Sequence, residues 1–144
     1  MLLYLDACCL NRPFDDQRQA RIHLESEAVL ALLGDVATAK YRLADSAVLQ
    51  FEIGRIADQT RRQGALHFLA YAEAHQSLSA EVRARAAILC GLGFEQMDAL
   101  HLASAEELKA DYFLTTDDRL ITRTTIHSTR LKVLVANPLN FPNL

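Results

Sequence analysis

The sequence predicts an α/β fold, a three-layer α/β/α sandwich on a mostly parallel sheet of four to five strands, and three features lead there. Short apolar or β-branched runs alternate with stretches of helical periodicity, the order that yields parallel strands joined by helices. Acidic residues stand where several of those runs end, and chemistry in open α/β sheets gathers outside the carboxyl ends of the strands. No repeat, low-complexity tract or linker breaks the pattern, so residues 1–144 are expected to form a single domain.

Taken in order, Leu2–Leu5 is a short hydrophobic strand with Asp6 at its end. Ala7, Cys8, Cys9 and Leu10 follow, then a polar turn over 11–16 in which Pro13 forbids a continuing ladder. Asp16 is a suitable N-cap for a helix running to Leu33, with Ile22 and Val29 on its inner side and Gly34 as its stop. Residues 40–44 form a shorter strand. Asp45 or Ser46 then caps a helix carrying Val48, Phe51, Glu52, Ile56 and Ala57, which ends in the polar residues 59–64.

Residues 65–75 and 82–89 read as two further helices, the second capped by Ser79 and closed by Gly91 and Gly93. The next helix opens near Asp98. Met97, Leu100, His101, Ser104 and Leu108 recur at helical spacing, while Glu106, Glu107 and Lys109 fall together as a wet face. Asp111 marks a turn before 112–116, an apolar and β-branched run suited to a strand covered on both faces, which delivers Asp117 and Asp118 at its end. A short helix over 119–125 and a last strand over 131–135 complete the chain.

Bulk composition excludes several classes. Although 51% of the residues are apolar, no run approaches the ~20 needed to span a membrane. There is no basic, apolar leader of the secretory kind, and three cysteines without C-x-x-C spacing suit a reducing cytoplasm. A net charge of −3 argues against coating nucleic acid through a broad basic surface, but not against an enzyme that touches a few phosphates.

Four acids fall at functional ends of these elements: Asp6 after the first strand, Glu52 one turn from Val48 and from Ile56, Asp98 at a helix start, and Asp117 after the third strand. Each has a plainer reading. Asp98 suits the first turn of any helix, Asp117 or Asp118 can cap the helix that follows, Asp6 can be a turn residue, and Glu52 can pair with Arg55 in solvent. Together, however, carboxylates on one rim stay ionised only beside a cation, and an all-oxygen set suits Mg²⁺ or Mn²⁺. Asp6, Asp98 and Asp117 are the expected metal ligands, with Glu52 binding or positioning the ion or its water for phosphodiester hydrolysis. Asn11 and Asp118 are candidates for the outer shell. Arg12 and Arg119 are the arginines nearest the rim and the expected substrate contacts. His101 is read as an imidazole that is packed or that supports a ligand, and is left out of the metal set, and Cys8 and Cys9 are read as small buried apolar residues. A zinc site lacks ligands at suitable spacing.

The segments Leu3-Tyr4-Leu5-Asp6, Phe51-Glu52, Met97-Asp98-Ala99-Leu100-His101-Leu102-Ala103 and Phe113-Leu114-Thr115-Thr116-Asp117 resemble the ordered motifs of the PIN-domain family, in particular its small VapC-like members. The resemblance spans nearly the whole chain. It implies a PIN-like fold and a Mg²⁺- or Mn²⁺-dependent ribonuclease with Asp6, Glu52, Asp98 and Asp117 at the acidic positions. Thr115 matches the hydroxyl residue of the family's T-x-D motif and is expected to orient the acids. Single-stranded RNA as substrate, a homodimer and a small antitoxin as partner are implied in the same way. Where the family commonly has Thr or Ser after its first aspartate, this chain has Ala7. The alternative is a PIN-like module that binds nucleic acid or protein without catalysis. A phosphoacceptor receiver fits poorly, since such domains carry adjacent acids after the first strand.

Overall fold

The central strand, β1 (Leu2–Leu5), is four consecutive apolar residues, all buried, which is the pattern of a strand covered on both faces. The computed structural model describes residues 1–141. On one side of β1 lie β2 (Arg42–Ser46) and β3 (Ala74–Gln76); on the other lie β4 (Tyr112–Leu114) and β5 (Leu134–Ala136). The strand order is β3-β2-β1-β4-β5, and every pairing is parallel. Helices cover both faces: α1 (Ala7–Asn11), α2 (Ala20–Ala37), α3 (Ala47–Gly54), α4 (Gln59–Leu69), α5 (Ala80–Gly91), α6 (Gln96–Glu107) and α7 (Asp118–Ile126).

This order has a functional consequence. From β1 the chain builds outward to β2 and β3, then crosses back to add β4 and β5 on the far side, so the winding reverses between β1 and β4. Open α/β sheets leave a crevice at that point, outside the carboxyl ends of the strands. Asp6 follows β1 and residues 115–117 follow β4. Asp6 N donates to Leu114 O at 2.9 Å and ties the end of β1 to β4, while Thr115 N donates to Ala136 O at 3.0 Å and ties β4 to β5.

Several elements depart from the sequence reading for identifiable reasons. Residues 7–11 are helical because Asp6 accepts a hydrogen bond from Ala7 N at 2.8 Å and so opens α1. Asp16 forms a turn with Arg18 N instead of a cap, and α2 starts at Ala20. Gly34 does not stop α2: a helical glycine costs only about 1 kcal/mol, and Val36, buried on the next turn, offsets it. The helix ends at Thr38, where Ala39 takes a positive φ of 63°.

The polar stretch after Ala57 begins a helix, whereas the pattern predicts that it ends one. Asp58 accepts from Thr60 N and Arg61 N, so α4 spans Gln59–Leu69 and α3 stops earlier, at Gly54. Residues 74 and 75, which the sequence reads as the end of a helix, belong instead to the edge strand β3, too short and too exposed to carry an apolar signature. Ser46, not Asp45, caps α3, through Leu49 N. Phe51 faces outward with the Arg55 guanidinium 5.4 Å from its ring centre. Glu106 is not on a wet face either: it is buried, held by Arg85 at 2.6 Å and by Lys132 N at 2.7 Å. Among the described residues, no helix is long and apolar enough to cross a membrane.

Candidate active site

Asp6 is buried at the end of β1 and is tied down on both oxygens. Oδ1 accepts from Ala7 N, while Oδ2 accepts from the Thr115 hydroxyl at 2.8 Å and from the Cys8 thiol at 3.5 Å. Burial pushes this carboxyl above its ordinary value, against the pull of His101 and of the Thr115 hydrogen bond. Thr115 also accepts from Asp117 N at 3.1 Å, so one hydroxyl joins the ends of β1 and β4. A hydroxyl thus reaches Asp6 despite Ala7 in the following position. Cys8 is not a purely apolar residue, since its sulfur also accepts from Thr116 N at 3.4 Å.

Glu52 comes from α3 and turns toward α6. Its Oε2 lies 3.2 Å from His101 Nε2, and His101 Nδ1 lies 2.7 Å from the Tyr4 hydroxyl, itself 2.7 Å from Ser46 Oγ. With the imidazole proton on Nε2, every polar group in this chain is satisfied: Leu49 N donates to Ser46, Ser46 to Tyr4, Tyr4 to Nδ1, and Nε2 to Glu52. Burial holds the Tyr4 phenol well above its ordinary value, so it remains a neutral link. Burial alone would lower His101, but Glu52, Asp6 and Asp98 outweigh it and raise the imidazole. Asp6, Glu52 and His101 each offer one ligand atom, all within 4.8 Å of one another. Because Nε2 faces a carboxylate as a donor, His101 orients Glu52 in this arrangement and is not free to ligate.

Asp98 and Asp117 stand outside that grouping, on the adjoining wall. Asp98 occupies the first turn of α6, half-buried, and its carboxyl is pushed up to about 6, first by burial and then by the charges of Asp6, Asp117 and Glu95. These charges lie close enough to oppose one another. Asp117 caps α7, with Oδ1 accepting from Arg119 N at 3.0 Å and Leu120 N at 3.2 Å. No protein donor among the described residues reaches its other oxygen. Asp98, Asp117, Asp118, Arg119, Arg123, Glu95 and Ile126 line an open cleft of about 640 Å³.

The other sequence-selected residues sit around this centre in different states. Asp118 is turned outward and paired with Arg21, at 2.6 and 2.7 Å, which holds its carboxyl below the ordinary value. Arg12 is engaged within the protein, donating to Glu25 and Asp15 at 2.9 Å. Glu25, fully buried, also receives Arg21 and Asn137. Asn11 donates to Ala7 O, and its Oδ1 is the one buried side-chain polar atom without a partner among the described residues. Arg119 keeps its guanidinium free of any such tie. Sequence reasoning missed Tyr4, Ser46 and Arg21, of which Ser46 carried a signal, as a capping candidate in front of an apolar helix.

The four acids fit a hard divalent cation. They are oxygen donors, and the charges of Asp6 and Asp117 add to burial in raising Asp98, a repulsion that a cation would relieve.

No family model matches the chain, and no curated protein does. Several solved structures are similar, two of which illustrate the likeness. One is VapBC2 from Rickettsia felis bound to a DNA fragment from the promoter: 17% identity over 95% of this chain and 98% of that one, TM-score 0.59. The other is VapBC-1 from nontypeable Haemophilus influenzae: 13% identity over 96% and 98% of the respective chains, also with TM-score 0.59. At this identity the likeness is one of fold, and the fold is PIN-like and VapC-like.

Proposed function

We propose that this chain, a VapC-like fold with acids gathered at its switch point, is a metal-dependent endoribonuclease and the toxin of a toxin-antitoxin pair. One observation carries the reading: carboxylates from distant segments face one another near the ends of β1 and β4, Asp6 with Glu52 beside it and Asp98 under the charges of Asp6 and Asp117. Asp6, Asp98 and Asp117 hold Mg²⁺ or Mn²⁺, and Glu52, steered by His101, positions the ion or its water. Such an ion supplies an activated water and neutralises charge at phosphorus and the leaving oxygen. Thr115 fixes Asp6 against the Asp117 backbone, so two ligand positions move as one. Arg119, which lines the cleft beside Asp98 and Asp117, receives RNA. The domain acts in the cytoplasm as a homodimer, and a small antitoxin is its protein partner.

The test is cleavage of an RNA panel by the purified chain with Mn²⁺. Asp98→Asn should abolish cleavage, whereas equal activity in that variant defeats the assignment. Calorimetric titration with Mg²⁺ and Mn²⁺ supplies the second arm, since absence of metal binding would make the chain a non-catalytic binding module.

A further inference from the structure

We propose that the outward face of α7, formed by Arg119, Arg123 and Ile126, is the track along which single-stranded RNA enters the acidic pocket. The identity of the polyanion rests on the nuclease reading; the track itself rests on geometry. Arg119, Arg123 and Arg130 are the arginines whose guanidinium makes no ion pair, hydrogen bond or aromatic contact among the described residues. Of these three, Arg119 and Arg123 line the cleft that contains Asp98 and Asp117. Two unpaired cations are therefore held beside the acids without neutralising them.

Their arrangement is ordered along the helix. Asp117 caps α7, Arg119 lies in its first turn, Arg123 one turn further, and Ile126 another turn on. Arg119 and Arg123 are thus about 6 Å apart along the axis, a spacing that lets each take a successive phosphate of an extended strand. Ile126 is 72% exposed, which no packing need explains, and it offers the unstacked face of a base an apolar surface. Moving away from the acids, this face changes from acid to cation to apolar residue.

Gly93 provides for Arg123. Its φ of +102° suits glycine, and a Cβ there would lie 2.9 Å from Arg123 Nη1, so the guanidinium rests against a turn that a side chain would fill. The arginine is therefore positioned next to the loop that leads into α6 and Asp98. A duplex carries its bases stacked away from such a shelf, whereas a single strand presents both phosphate and base to it.

The experiment uses the full chain bearing Asp98→Asn, without divalent ion, and a short fluorescein-labelled single-stranded RNA of mixed sequence, with anisotropy followed across a salt series. Arg119→Ala and Arg123→Ala should each weaken binding about tenfold and each lower the salt slope by about 0.7. Ile126→Ser should weaken binding about threefold and leave the slope unchanged, because it removes an apolar contact. Arg130→Ala should alter neither. The proposal is overturned if both cleft arginines can be removed without effect, if Arg130→Ala has the same effect as they do, or if duplex RNA binds more tightly than the single strand. Binding of an acidic peptide with none of RNA would also overturn it, giving the face to a protein partner. The two readings fail separately: arginine-dependent RNA binding without Mn²⁺-dependent cleavage in the unsubstituted chain removes the nuclease alone, and cleavage with arginine-independent binding removes the track alone.

Discussion

His101 Nε2 lies 3.2 Å from Glu52 Oε2, and this contact decides what each residue can do. The imidazole is buried and braced from behind by Tyr4, so its position is fixed. Glu52 is one-third exposed on its side chain and gains its direction from the imidazole. Glu52→Gln preserves the shape but removes the charge that helps to raise His101. The expected outcome is a His101 titration midpoint, followed by NMR of the ring protons, below that of the unsubstituted chain. An unmoved midpoint would mean that the pair does not form in solution.

The metal-free protein should lose stability as pH rises from about 4 to beyond 6. Asp98 releases its proton near pH 4 when unfolded and at about 6 when folded, so between these values the folded state binds more protons and rising pH favours unfolding. Asp6, raised by burial, contributes with the same sign. His101, also raised, adds stability that is present below its unfolded value near 6.5 and fades as pH passes its folded value. Mn²⁺ should reverse the trend, because it binds the deprotonated acids and its affinity climbs through pH 6. Urea midpoints from pH 4 to 8, with chelator and with Mn²⁺, check both slopes, and Asp98→Asn should flatten the chelator curve.

Thr115→Val tests the joint between the two strand ends. Valine keeps the volume but deletes the hydroxyl that donates to Asp6 and accepts from Asp117 N. Leaving a buried carboxylate and a backbone N–H without that partner costs about 1–3 kcal/mol, read from chemical denaturation. Mn²⁺ affinity should fall by about tenfold to a hundredfold, the usual effect of losing a residue that orients a ligand. Full stability with weakened metal binding would separate the orienting role from the packing one.

What was legible in the sequence was whatever depends on local pattern. The runs at Leu2–Leu5 and Tyr112–Leu114 announce buried strands because both faces are apolar, and their terminal acids follow from strand ends meeting solvent. The edge strand Ala74–Gln76 was hidden because it is short and only partly covered, so neither face needs apolar residues. Glu106 read as wet because its partner, Arg85, lies on another helix and no helical period reveals that. The same holds at the site. Asp6, Glu52, Asp98 and Asp117 were visible as acids at element ends, but the Tyr4–His101 link spans 97 residues and exists only once β1 and α6 are packed together.

Gly64 and Phe14 give the last prediction, in which one substitution changes sign with its background. Gly64 lies within α4, where alanine is ordinarily favoured by about 1 kcal/mol. Here a Cβ would come 2.1 Å from Phe14 Cζ, with both neighbouring ring carbons inside 3 Å. The ring must move, and it also packs 6.0 Å from the Phe68 ring centre, so Gly64→Ala should destabilise by about 1–3 kcal/mol. In a Phe14→Ala background the obstruction is gone and only helix propensity remains, so the same change should stabilise. A double-mutant cycle in urea measures the coupling, and additivity of the two changes would show that the ring does not lie over the glycine.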